Sequence, residues 1–107
     1  TMQNFDKDLD DNPFMVIDFW AQWCAPCKDF AKVCTELADE IKDVCFARVD
    51  IEAEPELAAE FSIQSVPFVI IMRERTILYA ESGSLTKSAL HDLIKQAMEV
   101  DLEKSTD

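Results

Sequence analysis

From Phe14 to Trp20 the chain reads Phe-Met-Val-Ile-Asp-Phe-Trp, a run of β-branched and aromatic residues with a single charge inside it. No polar alternation interrupts the run, so it predicts a central strand covered on both faces. Asp18 is the anomaly. A carboxylate among Val16, Ile17, Phe19 and Trp20 sits either on a solvated strand edge or, in better keeping with those neighbours, in the interior. Phe30, Val33, Cys34, Leu37, Ala38 and Ile41 then recur at helical spacing up to Val44 and predict an amphipathic helix of about four turns. Pro26 opens it, since a first-turn N–H has no intrahelical partner to lose. Cys24 therefore stands where a strand turns into a helix N-terminus.

Val44 to Ile51 reads as a second strand, and Pro55, Leu57, Ala58 and Phe61 as a short helix with proline in its first turn. Val66 to Met72 and Thr76 to Glu81 are two further strands, joined by a connection too short for a crossover, hence an antiparallel hairpin. Leu85, Ala89, Leu90, Leu93, Ile94, Ala97 and Met98 mark a final amphipathic helix, after which the tail from about Val100 is expected to fray. Phe5 and Leu9, four apart among acids, predict a short initial helix. The succession β-α-β-α-β-β-α defines an α/β domain over residues 1–107, a mixed sheet with helices on its faces. Pro67 is compatible with a strand opening, where a missing N–H is tolerated, and equally with a cis bond in a tight turn.

Composition narrows the functional classes. With 107 residues, 49% of them hydrophobic, the chain has room for one domain with a real core and none for a second catalytic domain. Ten basic against 22 acidic residues give a net charge of −12, which opposes tracking of nucleic-acid phosphates and docking on anionic lipid. No apolar stretch approaches the roughly 20 residues of a membrane span, and the polar, acidic start is unlike a secretory leader, so a soluble, cytoplasmic protein is expected. Four cysteines are too few for a disulfide-rich scaffold, and only Cys24-Ala25-Pro26-Cys27 has a recognisable spacing. A zinc site wants four ligands, and Cys34, Cys45 and His91 would have to converge from three separate elements. A permanent bridge over so short a loop would constrain the unfolded chain little. Redox use is the better reading, and no metal or cofactor is expected.

Thiol–disulfide exchange needs one cysteine exposed to attack and a second, buried, to resolve the mixed disulfide. Unpaired N–H groups and the helix dipole favour a thiolate at Cys24, while Cys27 lies one turn inside. Lys28 adds positive potential, although an exposed ammonium is largely screened. Lowering a thiol from about 8.5 to about 7 raises the thiolate fraction from roughly 3% to roughly 50% at neutral pH, but returns about fivefold in nucleophilicity. The net gain of about threefold leaves most of the rate to positioning. Cys27, desolvated, needs a base, and Asp18 on the strand beneath the helix fits that need. Cys34 and Cys45 read as core residues, His91 as a surface residue, and Glu52, Glu54, Glu56 and Glu60 as a solvated face.

The segment Val16-Ile-Asp-Phe-Trp-Ala-Gln-Trp-Cys-Ala-Pro-Cys-Lys28 resembles the active-site segment of thioredoxins, and Ser65-Val-Pro-Phe68 is similar to their cis-proline loop. The resemblance runs from about Phe5 to about Glu99. It implies a three-layer thioredoxin-like fold and a dithiol–disulfide oxidoreductase that reduces protein disulfides. Cys24 would attack, Cys27 resolve and Asp18 handle the proton, with Trp23, Ala25, Pro26, Val66, Pro67, Gly83 and Ser84 forming the substrate-docking surface. It also implies disulfide-containing protein substrates, a thioredoxin reductase or other electron donor as partner, and a monomer. Departures are equally specific. Ala25 replaces a glycine, Lys32 the proline that kinks the long helix, and Arg48 the lysine near the buried aspartate, a guanidinium that keeps the charge but cannot relay a proton. The hairpin lacks its usual glycine. The family's first strand has no counterpart, giving four strands, or five if the chain, which begins at Thr1, is cut from a longer protein. Two alternatives stay open at this point: an oxidant or isomerase built on the same fold, and a non-catalytic interaction domain of a larger protein.

Overall fold

The computed structural model describes residues 13–99. In chain order these form β1 (Phe14–Trp20), α1 (Ala25–Glu40), β2 (Cys45–Asp50), α2 (Pro55–Glu60), β3 (Phe68–Arg73), β4 (Thr76–Ser82) and α3 (Lys87–Glu99). Among the described residues the sheet has four strands in the order β2-β1-β3-β4. β1 runs parallel to β2 and antiparallel to β3, and β3 and β4 form the expected antiparallel hairpin. The helix anticipated around Phe5 and Leu9 and the tail from about residue 100 lie outside the described residues. Within them, no helix is long and apolar enough to cross a membrane.

Alternation along β1 sorts its side chains between two cores. Phe14 and Val16 face α1 and α3, packing with Phe30, Cys34, Leu37, Leu90, Ile94 and Ala97. Met15, Ile17 and Phe19 face the other way, packing with Val49, Ile70, Met72 and Leu57 of α2. This is a three-layer α/β fold with β1 buried on both faces, and Asp18 shares the parity of Phe14 and Val16, which puts it on the α1 side.

Two of the boundaries that differ from the sequence reading have a physical reason in the structure. α1 ends at Glu40 instead of running to Val44, because Ile41 adopts an extended conformation (φ −115°, ψ 99°) while its N–H still donates to Leu37 O. Val44 stays buried from the loop, so the apolar period continues past the helix that seemed to cause it. β3 begins at Phe68, two residues late: Pro67 has no N–H for the ladder, and the Val66–Pro67 peptide is cis. α1 is unbroken from end to end with Lys32 in place of the kinking proline. In the hairpin, Glu74 (φ 50°) and Arg75 (φ 65°) both take the left-handed conformation that a two-residue turn requires, without the glycine that usually supplies it.

Candidate active site

β1 delivers the chain to Ala21, which is buried, and a turn follows in which the Cys24 N–H donates to Ala21 O at 3.1 Å. Cys24 is the N-cap of α1, with extended backbone (φ −91°, ψ 105°), and its Sγ accepts from the Cys27 N–H at 3.2 Å. A sulfur thus takes the place of the usual capping oxygen. Pro26, in the first turn, removes an N–H that had no partner to lose. One turn of helix holds the two cysteines at a Cα separation of 5.3 Å, and they are joined as a disulfide.

Cys24 is less open than expected. Its residue is 4% exposed against 1% for Cys27, so the two differ in the expected sense but only by a sliver of surface. Ala21, Trp20, Ile51 and Val66 close around the bridge. With so little sulfur surface open, the directions from which a thiol or disulfide can meet it are restricted. Ile51 is a wall residue that the sequence did not single out. It follows β2, its N–H donates to Trp20 O at 3.0 Å, and the Asp50 carboxylate accepts from the Glu52 N–H at 2.9 Å to turn the chain there. The available signal was topological: the carboxyl ends of adjacent parallel strands meet at the helix N-terminus.

Around the bridge, Trp23 is 69% exposed, an unusual placement for the largest apolar side chain. Ala25, Pro26, Lys28, Gly83 and Ser84 are exposed, Val66 is half-buried and Pro67 is buried. Gly83 has a backbone task as well: at φ +106° its N–H donates to Pro67 O at 2.8 Å, tying the end of β4 to the proline loop. A Cβ at Gly83 would meet nothing within 4 Å, so it is the dihedral and not crowding that calls for glycine.

Asp18 lies beneath α1 and is 1% exposed, so the solvated-edge alternative is excluded. Its register partner on β2 is Arg48, whose Nε donates to Oδ2 at 3.3 Å and whose guanidinium lies 4.6 Å from the centre of the Trp20 ring. Oδ1 is buried without a hydrogen-bond partner. Burial pushes the Asp18 carboxyl above its ordinary range, and the hydrogen bond and charge of Arg48 only partly oppose this. Burial, helped by the Asp18 charge, also pushes the Cys34 thiol up to about 12, which makes it inert as a nucleophile. Neither Cys34 nor Cys45 is in a disulfide, and they pack in cores on opposite faces of the sheet. His91 is exposed on α3.

A thioredoxin family model matches residues 1–96. A protein described as putative thioredoxin 2 from Streptomyces coelicolor is 45% identical over 104 residues, covering 97% of this chain and 78% of that protein. Thioredoxin from Buchnera aphidicola of Schizaphis graminum is 34% identical over 98 residues, 90% of this chain and 91% of that one. Among solved structures, Fasciola hepatica thioredoxin superposes with a TM-score of 0.83 at 31% identity, covering 89% of this chain and 92% of that one. A mutant thioredoxin from Halobacterium salinarum gives 0.85 at 27% identity, with 92% and 87% covered. With a cysteine pair at bridging distance on a helix N-terminus, and relatives of this kind along nearly its whole length, the chain belongs to the thioredoxin family and is a thiol–disulfide oxidoreductase that reduces protein disulfides.

Proposed function

We propose that Cys24 is the attacking thiol, Cys27 the resolving thiol and Asp18 the group that takes the Cys27 proton. In the reduced protein the Cys24 thiolate attacks one sulfur of a substrate disulfide, forming a mixed disulfide and expelling the first substrate thiolate. Asp18 accepts the proton of Cys27, whose thiolate attacks Cys24 Sγ. The second substrate thiolate leaves, and the Cys24–Cys27 disulfide remains for a reductase partner to reopen. The observation that carries the assignment is the helix N-terminus at Cys24, where the Cys27 N–H already points at the Cys24 sulfur. A donor in that position stabilises negative charge on Cys24 both as nucleophile and as leaving group.

Trp23, Ala25, Pro26, Val66, Pro67, Gly83 and Ser84 form the docking surface in this reading. An apolar rim with Trp23 extended into solvent suits the neighbourhood of a partly unfolded protein disulfide better than a small charged thiol. Lys28, on the exposed side of α1, contributes screened positive potential near the leaving thiolate. The protein works as a monomer in the cytoplasm, where thiols are kept reduced.

Brief alkylation of the fully reduced protein at neutral pH, with the modified peptide identified by mass, tests the assignment. The expected result is one adduct on Cys24, with Cys27, Cys34 and Cys45 protected; preferential modification of Cys27 overturns it.

A further inference from the structure

At the end of α1 remote from the disulfide, a surface cleft of about 210 Å³ is lined by Ile41, where the helix stops, and by His91, Ile94, Lys95 and Met98 of α3. The 16 residues of α1 put about 24 Å of helix between this cleft and Cys24. His91, Ile94, Lys95 and Met98 stand at i, i+3, i+4 and i+7, so they form one stripe along α3. Ile94 is fully buried and closes the bottom, Ile41 is half-buried, and Met98 is 38% exposed, one of the large apolar side chains that the fold leaves open. No acidic residue lines the cleft. Its polar groups are two nitrogen bases, and neither is engaged. Lys95 forms no ion pair with any described residue, although Asp92 and Glu99 stand three and four positions away on the same helix. Lys87, by contrast, is held by Glu36 and Glu40. His91 Nδ1 lies 4.0 Å from Asp92 Oδ1, beyond hydrogen-bond reach.

We propose that this cleft binds a small carboxylic acid built on one aromatic ring, with the ring against Ile41, Ile94 and Met98 and the carboxylate on Lys95 Nζ. Size selects the body. An apolar cavity of roughly 150 Å³ holds one benzene ring, whereas sites for drug-sized ligands run from roughly 300 to 1,000 Å³. The cleft therefore takes a single ring with a short side arm, and excludes nucleotides and folded peptide segments. Met98 favours a ring over an aliphatic chain, because a thioether gains from contact with a ring edge. Charge selects the head group. The net charge of −12 opposes any anion at a distance, but at physiological salt that field is screened beyond roughly 8 Å. Contact with an unpaired ammonium then decides, and a charge-assisted hydrogen bond from Lys95 is open to a carboxylate and closed to an amine. A bound acid stabilises the folded chain by mass action and leaves the approach to Cys24 clear.

Titration of the full chain with phenylbutyrate, followed through its backbone amide resonances, tests the site. Saturable shifts are expected at Ile41 and across residues 91–98, with the millimolar dissociation constant that so small a ligand permits. Phenylbutylamine, the same body with the opposite head charge, is expected to bind at least about fivefold more weakly. Lys95→Gln, at an exposed position, is expected to weaken phenylbutyrate by about three- to fivefold. Met98→Glu, which removes an apolar wall and adds a negative charge, is expected to weaken it at least about tenfold, and Lys95→Gln carries the test alone should that variant fail to fold. Reduction of insulin disulfides is expected to be unchanged at saturating phenylbutyrate. Absent or unsaturable shifts, equal affinity for acid and amine, or unaltered binding in Lys95→Gln overturns the proposal. Shifts centred on Trp23 and Val66, with inhibition of insulin reduction, overturn it in favour of the disulfide rim. Shifts at the same α3 residues on raising protein concentration alone overturn it in favour of a second copy of the chain.

Discussion

Cys27→Ser is expected to convert the protein from a catalyst into a trap. Attack by Cys24 on a protein disulfide proceeds, the first substrate thiol is released, and the reaction stops at a covalent complex visible by mass under non-reducing conditions. The size of the effect follows from what the helix does. Holding two thiols one turn apart replaces an encounter by an intramolecular step with an effective concentration orders of magnitude above that of any external thiol. Turnover of insulin disulfides should therefore fall at least about a thousandfold, to the rate at which added dithiol opens the complex. Cys24→Ser should fall as far but accumulate no complex, because Cys27 lies one turn inside α1, without the N-cap position that favours a thiolate at Cys24. Comparable turnover in wild type and Cys27→Ser would show that the resolving role is misplaced.

Asp18→Asn should pull activity and stability in opposite directions. Without a carboxylate beneath the helix, the resolving step loses its base, and a slowing of about a hundredfold near neutral pH is expected. Stability should rise. Burial raises the Asp18 pKa in the folded state above its unfolded value. The native state is therefore favoured by a neutral Asp18 below the unfolded pKa, and that advantage is lost as pH climbs through the folded pKa. Above the unfolded pKa the folded wild type bears the cost either of a buried, half-satisfied carboxylate or of the proton that neutralises it, a cost the uncharged amide avoids. A gain on the order of 2 kcal/mol is expected there, vanishing in acid, where both side chains are neutral. Denaturant unfolding at two pH values reads this directly: a variant less stable than wild type at neutral pH, or a difference that does not shrink in acid, contradicts the buried-charge account.

The parts of the site that rest on local pattern were legible in the sequence. β1 occupies the residues its apolar run marks, and the cysteine spacing places a bridge on the first turn of α1. The burial of Asp18 follows from its neighbours alone. What was not legible depends on contacts between distant segments. The closing of Ile51 and Val66 over the disulfide leaves Cys24 almost as buried as Cys27, which no local pattern encodes. The clamp from Gly83 to Pro67 O joins residues far apart in the chain, and the sequence shows only that a glycine is there. The end of α1 was missed because Val44 fills the core from a loop with the same spacing a longer helix would use. The left-handed pair at Glu74 and Arg75 carries no glycine signal, since tertiary pairing of β3 with β4 imposes the turn on residues that do not prefer it.

One departure bears on the direction of electron flow. Ala25 adds a methyl group between the cysteines, two residues before the N–H of Cys27 that faces the Cys24 sulfur. For this two-electron couple a difference of 1.4 kcal/mol between the oxidised and reduced forms moves the potential by about 30 mV. A reductant tolerates a change of that size, whereas an oxidant or isomerase needs one several times larger. Equilibration of the Cys24/Cys27 couple against a glutathione or dithiothreitol buffer, with the oxidised fraction read by alkylation, decides between them. A protein that reduces disulfides requires a midpoint close to roughly −270 mV, the established value for thioredoxin, and a midpoint of about −120 to −180 mV would place this chain with the oxidants and isomerases and contradict the account.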